Sequence, residues 1–188
     1  PQEQGVTTPL SPVEETINGA PVPAGTDPAA DPEIKRADID KVTDFLRFLA
    51  PPPRVCFTNS HERHQAKRGE KLFNAVNCCA CHVPKMKTGP NEIRALDRKT
   101  VHLYSDLLVH DMGPSLSDIC LGQAHPSEFR TELLMGLRFR EHFLHDGSAP
   151  TVQEAIERHG GEAQPARDKF KALSKKDQEA LLKFLDSI

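Results

Sequence analysis

Residues 69–82, GEKLFNAVNCCACH, decide the fold of this chain, because a helical apolar stripe runs directly into three closely spaced cysteines. The stripe has the spacing i, i+3, i+4 and i+7, which predicts a helix over about 63–77. Its members are Gly69, Leu72, Phe73 and Val76. A glycine on such a stripe costs helix stability, but it lets another backbone approach closely. The stretch therefore predicts a closely packed helix that leads into the cysteine cluster.

The cluster itself, Cys78-Cys79-Ala80-Cys81-His82, contains the spacing C-x-x-C-H that is typical of c-type haem attachment. Two cysteines three positions apart at the end of a helix can both reach the vinyl groups on one porphyrin edge. The adjoining histidine can then bind the iron as its proximal ligand. Cys79 and Cys81 are too close together for the usual attachment. We therefore expect Cys78 and Cys81 to hold one covalent haem c and His82 to bind its iron.

Three other interpretations of the cluster have less support in the sequence. A zinc site on Cys78, Cys81 and His82 would lack a second ligand pair at finger spacing. A redox C-x-x-C motif would call for a βαβ context, which is absent from the sequence pattern. A plain pair of buried thiols would not require a neighbouring histidine. Haem attachment is therefore the interpretation that the sequence favours.

The cysteines that the haem leaves over are Cys56, Cys79 and Cys120. The total of five is odd and excludes a disulfide framework that uses every thiol. One disulfide is compatible with an oxidising compartment, and the pairing stays open. Cys79 is either free or paired with Cys56 or Cys120. The alternative disulfide joins Cys56 to Cys120.

A sixth ligand for the iron is predicted at the end of a helix over 152–159. The apolar stripe of this helix continues at i, i+3, i+4 and i+7 to His159, so an imidazole replaces an apolar residue on the buried face. Two glycines follow, where the chain can turn tightly. A core histidine satisfied by a carbonyl is the alternative explanation for His159. Met112 is the main competing ligand and His110 a weaker one.

Helices and loops account for the rest of the expected domain, and no convincing alternating strand appears. Three further helices are predicted: 38–49, 152–159 and 175–187. Thr151 and Ser174 are expected to cap the last two. The stretches 83–113 and 117–130 are expected to be mostly loop. The predicted class is all-α with long loops.

The first 36 residues differ from the rest, because they hold seven of the sixteen prolines and no helical periodicity. We expect 1–36 to be an extended Pro-rich arm and 37–188 to be a haem domain with its haem-binding core in about 63–188. The chain begins at Pro1 without a secretory signal, which indicates either a removed leader or a longer protein.

Charge and hydropathy exclude two classes of partner. The formal charge is only −3, from 24 basic and 27 acidic side chains, so no nucleic-acid-binding surface is expected. No run of about 18 apolar residues occurs, so no membrane span is expected.

Six blocks of sequence extend the haem motif into a wider resemblance, and the last two are the most specific. They are Gly5–Leu10, Asp44–Pro51, Gly69–Gly89, Tyr104–Pro114, Phe143–Gly147 and Glu154–Ala163. With these blocks the chain resembles the C-terminal half of the di-haem oxidoreductases, also called thiol oxidoreductases. That family is related to bacterial di-haem cytochrome c peroxidases.

The resemblance implies a cytochrome c-like domain in which the helix of Gly69 crosses the terminal helix tightly. It implies that a proline carbonyl accepts a hydrogen bond from His82, and we expect Pro114 to supply it, with Pro90 in Thr88-Gly89-Pro90 as the competitor. His159 stands where the peroxidases have a methionine ligand, so a bis-His haem is implied. The family carries a second haem, whereas this chain has a single C-x-x-C-H.

The functional expectation is one-electron transfer through one covalent, bis-His haem, with another redox protein or haem-bearing segment as partner. The alternative is the electron-transfer half of a di-haem, peroxidase-like oxidoreductase whose second haem lies on another segment or chain. An electron-transfer protein is expected rather than an autonomous enzyme. Because haem attachment to C-x-x-C-H occurs outside the cytoplasm, a periplasmic or otherwise exported location is expected.

Overall fold

A computed structural model describes residues 6–12, 16–17, 20–21, 29–119 and 124–188 of the chain. The chain divides into two compact units. Unit 1 consists of Pro1–Ala50 and Ile119–Pro126, and unit 2 consists of Pro51–Asp118 and Ser127–Ile188. The predicted arm, 1–36, lies partly outside the described residues and stays a prediction, as does the haem domain 37–188.

Unit 1 contains a short antiparallel hairpin and one helix. Strand β1, Thr16–Ile17, pairs with strand β2, Ala20–Pro21. Helix α1, Arg36–Arg47, begins slightly earlier than predicted and buries none of its residues. Its apolar stripe lies on the surface, and the exposed fractions of Phe45 and Leu46 are 66% and 60%. The periodicity of α1 therefore predicted the helix but not the burial of its apolar face.

Unit 2 holds the four other α-helices of the described residues, and polar side chains cap three of them. Their bounds are α2, Ser60–Ala75; α3, Val152–Arg158; α4, Gln164–Lys171; and α5, Lys175–Leu185. Asn59 caps α2, and the predicted caps Thr151 and Ser174 accept hydrogen bonds from Glu154 N and Asp177 N. Helix α4 was not predicted, because Phe170 is its one large apolar residue. No helix among the described residues is long and apolar enough to cross a membrane.

The core of unit 2 forms where α2 crosses α5. At the crossing, a Cβ atom on Gly69 would lie 1.9 Å from the carbonyl oxygen of Ala180 and 2.7 Å from Cβ of Phe184. The two backbones are thus in direct contact, as the glycine on the stripe allowed. Phe73 and Phe184 pack beside this contact with ring centroids 5.4 Å apart. The core cluster also includes Val76, Tyr104, Leu137, Phe170, Leu181, Leu185 and Ile188.

Short strands make the predicted all-α class wrong. Besides the hairpin of unit 1, β3, Met86–Lys87, pairs with β4, Thr100–Val101, and β5, Val109–Asp111, pairs with β6, Glu128–Arg130. The described chain is therefore a mixed fold of α-helices and two-stranded antiparallel sheets. Strands of two or three residues on the surface are too short to show an apolar–polar alternation. Backbone pairing between loops forms them, and a periodicity search does not detect it.

Candidate haem site

The cysteine cluster begins where α2 ends. Asn77 adopts a left-handed backbone conformation with φ of 75°, which stops the helix and starts a short 3-10 turn over Cys78–Ala80. The His82 amide then donates to the Cys78 carbonyl at 2.9 Å, so the motif closes into a compact loop. Cys78, Cys79 and Cys81 are partly buried free thiols, and Cys56 is an exposed one. Cys120, a candidate disulfide partner, lies outside the described residues.

The two thiols predicted to hold haem are both partly buried. Burial raises the pKa of Cys78 to about 12, and the neighbouring Cys79 adds to the effect. Burial also raises the pKa of Cys81, with a further contribution from Asp106. Both sulfurs therefore stay in the uncharged S–H form at neutral pH. Two uncharged, free thiols, of which Cys78 packs against a core of aromatic and aliphatic side chains, fit an apolar macrocycle that would be bound through thioethers.

His82 is oriented by a backbone carbonyl. Its Nδ1 lies 3.0 Å from the carbonyl oxygen of Tyr104. Because a carbonyl only accepts, Nδ1 must carry the proton, and Nε2 of the neutral ring keeps its lone pair. Burial lowers the pKa of His82 to about 4, although the hydrogen bond to Tyr104 opposes the shift, and the nearby His159 lowers it further. At neutral pH the ring is thus an uncharged donor of the kind that iron binds.

Tyr104, and not Pro114, supplies the carbonyl that holds His82. The segment 104–106 runs along the haem motif, since Ser105 N donates to Val83 O at 3.1 Å and Asp106 N donates to Cys81 O at 2.8 Å. The Pro114 carbonyl instead faces the Ser117 amide at 3.3 Å. The prediction for Pro114 is therefore corrected, because pairing between two loops decides which carbonyl reaches the imidazole.

Tyr104 adopts an uncommon backbone conformation at this point. Its φ is 54°, in the left-handed region that bulky residues rarely enter. The ring is buried and packs edge-on against Phe73 and Phe184, with centroids 6.1 and 5.9 Å away. Core packing thus supports the conformation that directs the carbonyl at His82. No sequence pattern identifies this residue in advance, because every residue type supplies a backbone carbonyl.

His159 has the same local arrangement as His82. It follows α3 directly, and its Nδ1 lies 2.7 Å from the carbonyl oxygen of Ala155. The proton must again be on Nδ1, which leaves the lone pair on Nε2. Burial lowers the pKa of His159, although the bond to Ala155 opposes the shift. Two partly buried imidazoles therefore both hold a carbonyl at Nδ1 and have the lone pair on Nε2, and the proximity of His159 contributes to the lowered pKa of His82.

The competing ligands Met112 and His110 lie in the loop that touches the turn after His159. A Cβ atom on Gly160 would lie 2.6 Å from the Met112 carbonyl oxygen, so the two backbones are in contact. His110 has carboxylate partners at both ring nitrogens. Ligand atoms of Cys81, Asp106 and His110 lie within 4.8 Å of one another. We do not assign a metal to these three, because Cys81 belongs to the haem motif.

The lowered pKa values predict a loss of stability in acid. The ordinary histidine value is 6.5, and in the folded chain the pKa of His82 is about 4 and that of His159 is also lowered. As the pH falls from 6.5 toward 4, the unfolded chain takes up protons at both positions and the folded chain resists them, so the free energy of unfolding should decrease. Urea titrations of the haem-free chain at several pH values measure this, since iron bound to either imidazole would change its pKa. The variant His159→Phe should show a shallower decrease, and an equally steep one would contradict the assignment.

Comparison with known proteins agrees with this site. A family model described as "Di-haem oxidoreductase, putative peroxidase" matches residues 1–188. Among solved structures, hydrazine synthase from Kuenenia stuttgartiensis is similar in fold, with a TM-score of 0.55 and 17% sequence identity. The similarity covers 85% of this chain and 57% of that chain, so the chain spans little more than half of its length. No curated protein matches the sequence. Since the family model spans every residue, the chain belongs to the di-haem oxidoreductase family, which indicates a haem-based redox function.

Proposed function

We propose that this chain carries one covalent haem c with two histidine ligands and transfers single electrons. The observation that carries the proposal is the matched state of His82 and His159. Each is partly buried, each donates Nδ1–H to a backbone carbonyl, and each therefore has its lone pair on Nε2. A haem with two imidazole ligands has no open coordination position for peroxide, and its role is electron relay.

Each site residue has a separate task in this proposal. The thiols of Cys78 and Cys81 tether the porphyrin, and the 3-10 turn between α2 and His82 keeps them next to the proximal ligand. The Tyr104 carbonyl holds the His82 ring by its Nδ1 proton. A bound haem supplies an iron that changes its charge by one electron. Imidazole in place of a methionine thioether as the second ligand would lower the reduction potential of that iron.

A replacement of His159 tests the coordination directly. His159→Ala should turn a low-spin, six-coordinate ferric spectrum into a high-spin, five-coordinate one, because the sixth ligand is removed. Visible absorption and electron paramagnetic resonance measure the change. Met112→Leu is the matched control and should keep the low-spin spectrum. The proposal is wrong about the ligand if Met112→Leu produces the high-spin state and His159→Ala does not.

A second candidate function is the electron-transfer half of a di-haem, peroxidase-like oxidoreductase. One observation favours it, namely the match to the di-haem oxidoreductase family. The second haem would then lie on another segment or chain. Purified chain alone should carry one haem by intact mass and show negligible peroxide turnover. Substantial turnover by this chain alone would favour an autonomous enzyme.

The proposed location and partner follow from the proposed cofactor. Covalent attachment of haem c takes place outside the cytoplasm, so we place the protein in the periplasm or another exported compartment. The partner is another redox protein or a haem-bearing segment that exchanges single electrons with this site. Cell fractionation with immunodetection tests the location, and a cytoplasmic signal with attached haem would contradict it.

A further inference from the structure

His110 connects two carboxylates that come from distant parts of the sequence. It lies on β5, and its Nε2 is 2.9 Å from Oδ2 of Asp106. Its Nδ1 is 2.9 Å from Oε2 of Glu162. The His110 and Asp106 side chains are largely shielded, with exposed fractions of 18% and 11%, whereas Glu162 is 56% exposed. One imidazole thus forms a bridge between the loop before β5 and the turn after His159.

The chemistry of the bridge favours a charged ring. A neutral imidazole has one N–H, and ionised carboxylates only accept, so both contacts can be hydrogen bonds only when His110 is the imidazolium. The hydrogen bond with Glu162, followed by the one with Asp106, raises the pKa of His110. Bonds of this kind are shorter and stronger than bonds between neutral groups. The bridge therefore holds both carboxylates at once near neutral pH.

One end of the bridge is attached to the segment that orients His82. The Asp106 amide donates to the Cys81 carbonyl at 2.8 Å, which pairs its backbone with the haem motif. Two residues earlier, the Tyr104 carbonyl holds Nδ1 of His82. A displacement of Asp106 would therefore move the backbone that positions the proximal histidine.

The other end of the bridge is attached to the turn that follows His159. Glu162 also uses its second oxygen, Oε1, to accept from the Asp111 amide at 3.0 Å. The turn lies so close to β5 that a Cβ atom on Gly161 would be 2.1 Å from the Asp111 carbonyl oxygen. The carboxylate and the glycine together hold the start of this turn against the strand that carries His110.

We propose that His110 is a positioning residue that keeps the segment orienting His82 and the turn after His159 at a fixed separation, and so keeps His159 on the haem iron. The inference rests on the proposed bis-His haem. In the absence of the bridge, His159 leaves the iron more often, although haem stays attached through Cys78 and Cys81.

Cyanide binding to the ferric holoprotein tests this role, because cyanide binds haem iron only when an axial position is vacated. In His110→Phe, both hydrogen bonds are lost. The fraction of molecules in which His159 has left the iron should then rise, so the apparent cyanide affinity should increase by about tenfold. Glu162→Ala, at an exposed position, removes one of the two His110 bonds together with the bond from the Asp111 amide, and it should also increase the cyanide affinity. This second variant keeps the test informative if His110→Phe does not fold.

The control is Arg68→Leu, which breaks an ion pair of comparable exposure between α2 and α5, with Nε of Arg68 2.5 Å from Asp177. It should leave cyanide affinity unchanged. Unchanged affinity in both bridge variants would overturn the inference, as would an equal increase in Arg68→Leu. A wild-type protein without covalent haem, or one that is high-spin, would instead refute the proposed function, so the two failures are distinguishable.

Discussion

Replacing Cys78 and Cys81 together by Ala should abolish covalent haem attachment completely. In the proposed site each thiol would form one thioether bond to the porphyrin edge, and without both sulfurs no covalent attachment would remain. Cys78 and Cys81 are free thiols in the structure, held uncharged by burial next to the histidine that would bind the iron. Intact mass should fall by the mass of one haem. A pyridine haemochrome assay should find no haem that resists extraction with acidified acetone.

Single replacements distinguish the three neighbouring cysteines. Cys79→Ala is the matched control, because Cys79 is also a partly buried free thiol of the same turn. It should retain full covalent haem. Either Cys78→Ala or Cys81→Ala should leave at most one thioether, which shifts the haemochrome band because one vinyl group is unsaturated. Loss of haem from Cys79→Ala, with retention in Cys78→Ala, would show that the attachment positions are assigned wrongly.

Gly69→Ala should destabilise unit 2 severely. The added Cβ would lie 1.9 Å from the Ala180 carbonyl oxygen and 2.6 Å from its carbonyl carbon. Both atoms belong to the backbone of α5, so no side-chain rotation relieves the overlap and the helices must separate. The aromatic core beside the crossing would then lose its packing. We expect a loss of more than about 4 kcal/mol in the free energy of unfolding, or failure to fold.

Gly89→Ala is the control for Gly69→Ala. No atom lies within 4 Å of a Cβ placed on Gly89, and its φ is not in the left-handed range. This change should alter the free energy of unfolding by less than about 0.5 kcal/mol. Denaturant titrations of both variants measure the difference. A Gly69→Ala protein with a stability close to that of Gly89→Ala would contradict the direct contact between α2 and α5.

Short sequence patterns predicted those structural elements that depend on residues close together along the chain. The stripe from Gly69 to Val76 predicted α2, and Thr151 and Ser174 were identified as caps from their own side-chain chemistry. The membership of the di-haem oxidoreductase family was also predicted from short motifs and is confirmed. The attachment of haem at Cys78 and Cys81 and the ligand role of His159 stay predictions.

Contacts between distant segments were not predictable from such patterns. The all-α class is wrong because β5 and β6 form through backbone pairing of two or three residues, which leaves no periodic pattern. Helix α4 was missed because it contains a single large apolar residue, Phe170. The carbonyl that holds His82 was assigned to Pro114, whereas loop pairing brings Tyr104 to that position.

The sequence by itself determined the residue types of the site and the helix that leads into it, because C-x-x-C-H and an apolar stripe are local properties of the chain. Only the tertiary structure decided how the site is held. The left-handed Tyr104 turns its carbonyl to His82, and His110 joins Asp106 to Glu162, which lies 52 positions after His110 in the sequence. Hydrogen-bonding partners of this kind depend on how loops pack in space, and spacing along the chain does not encode their distances.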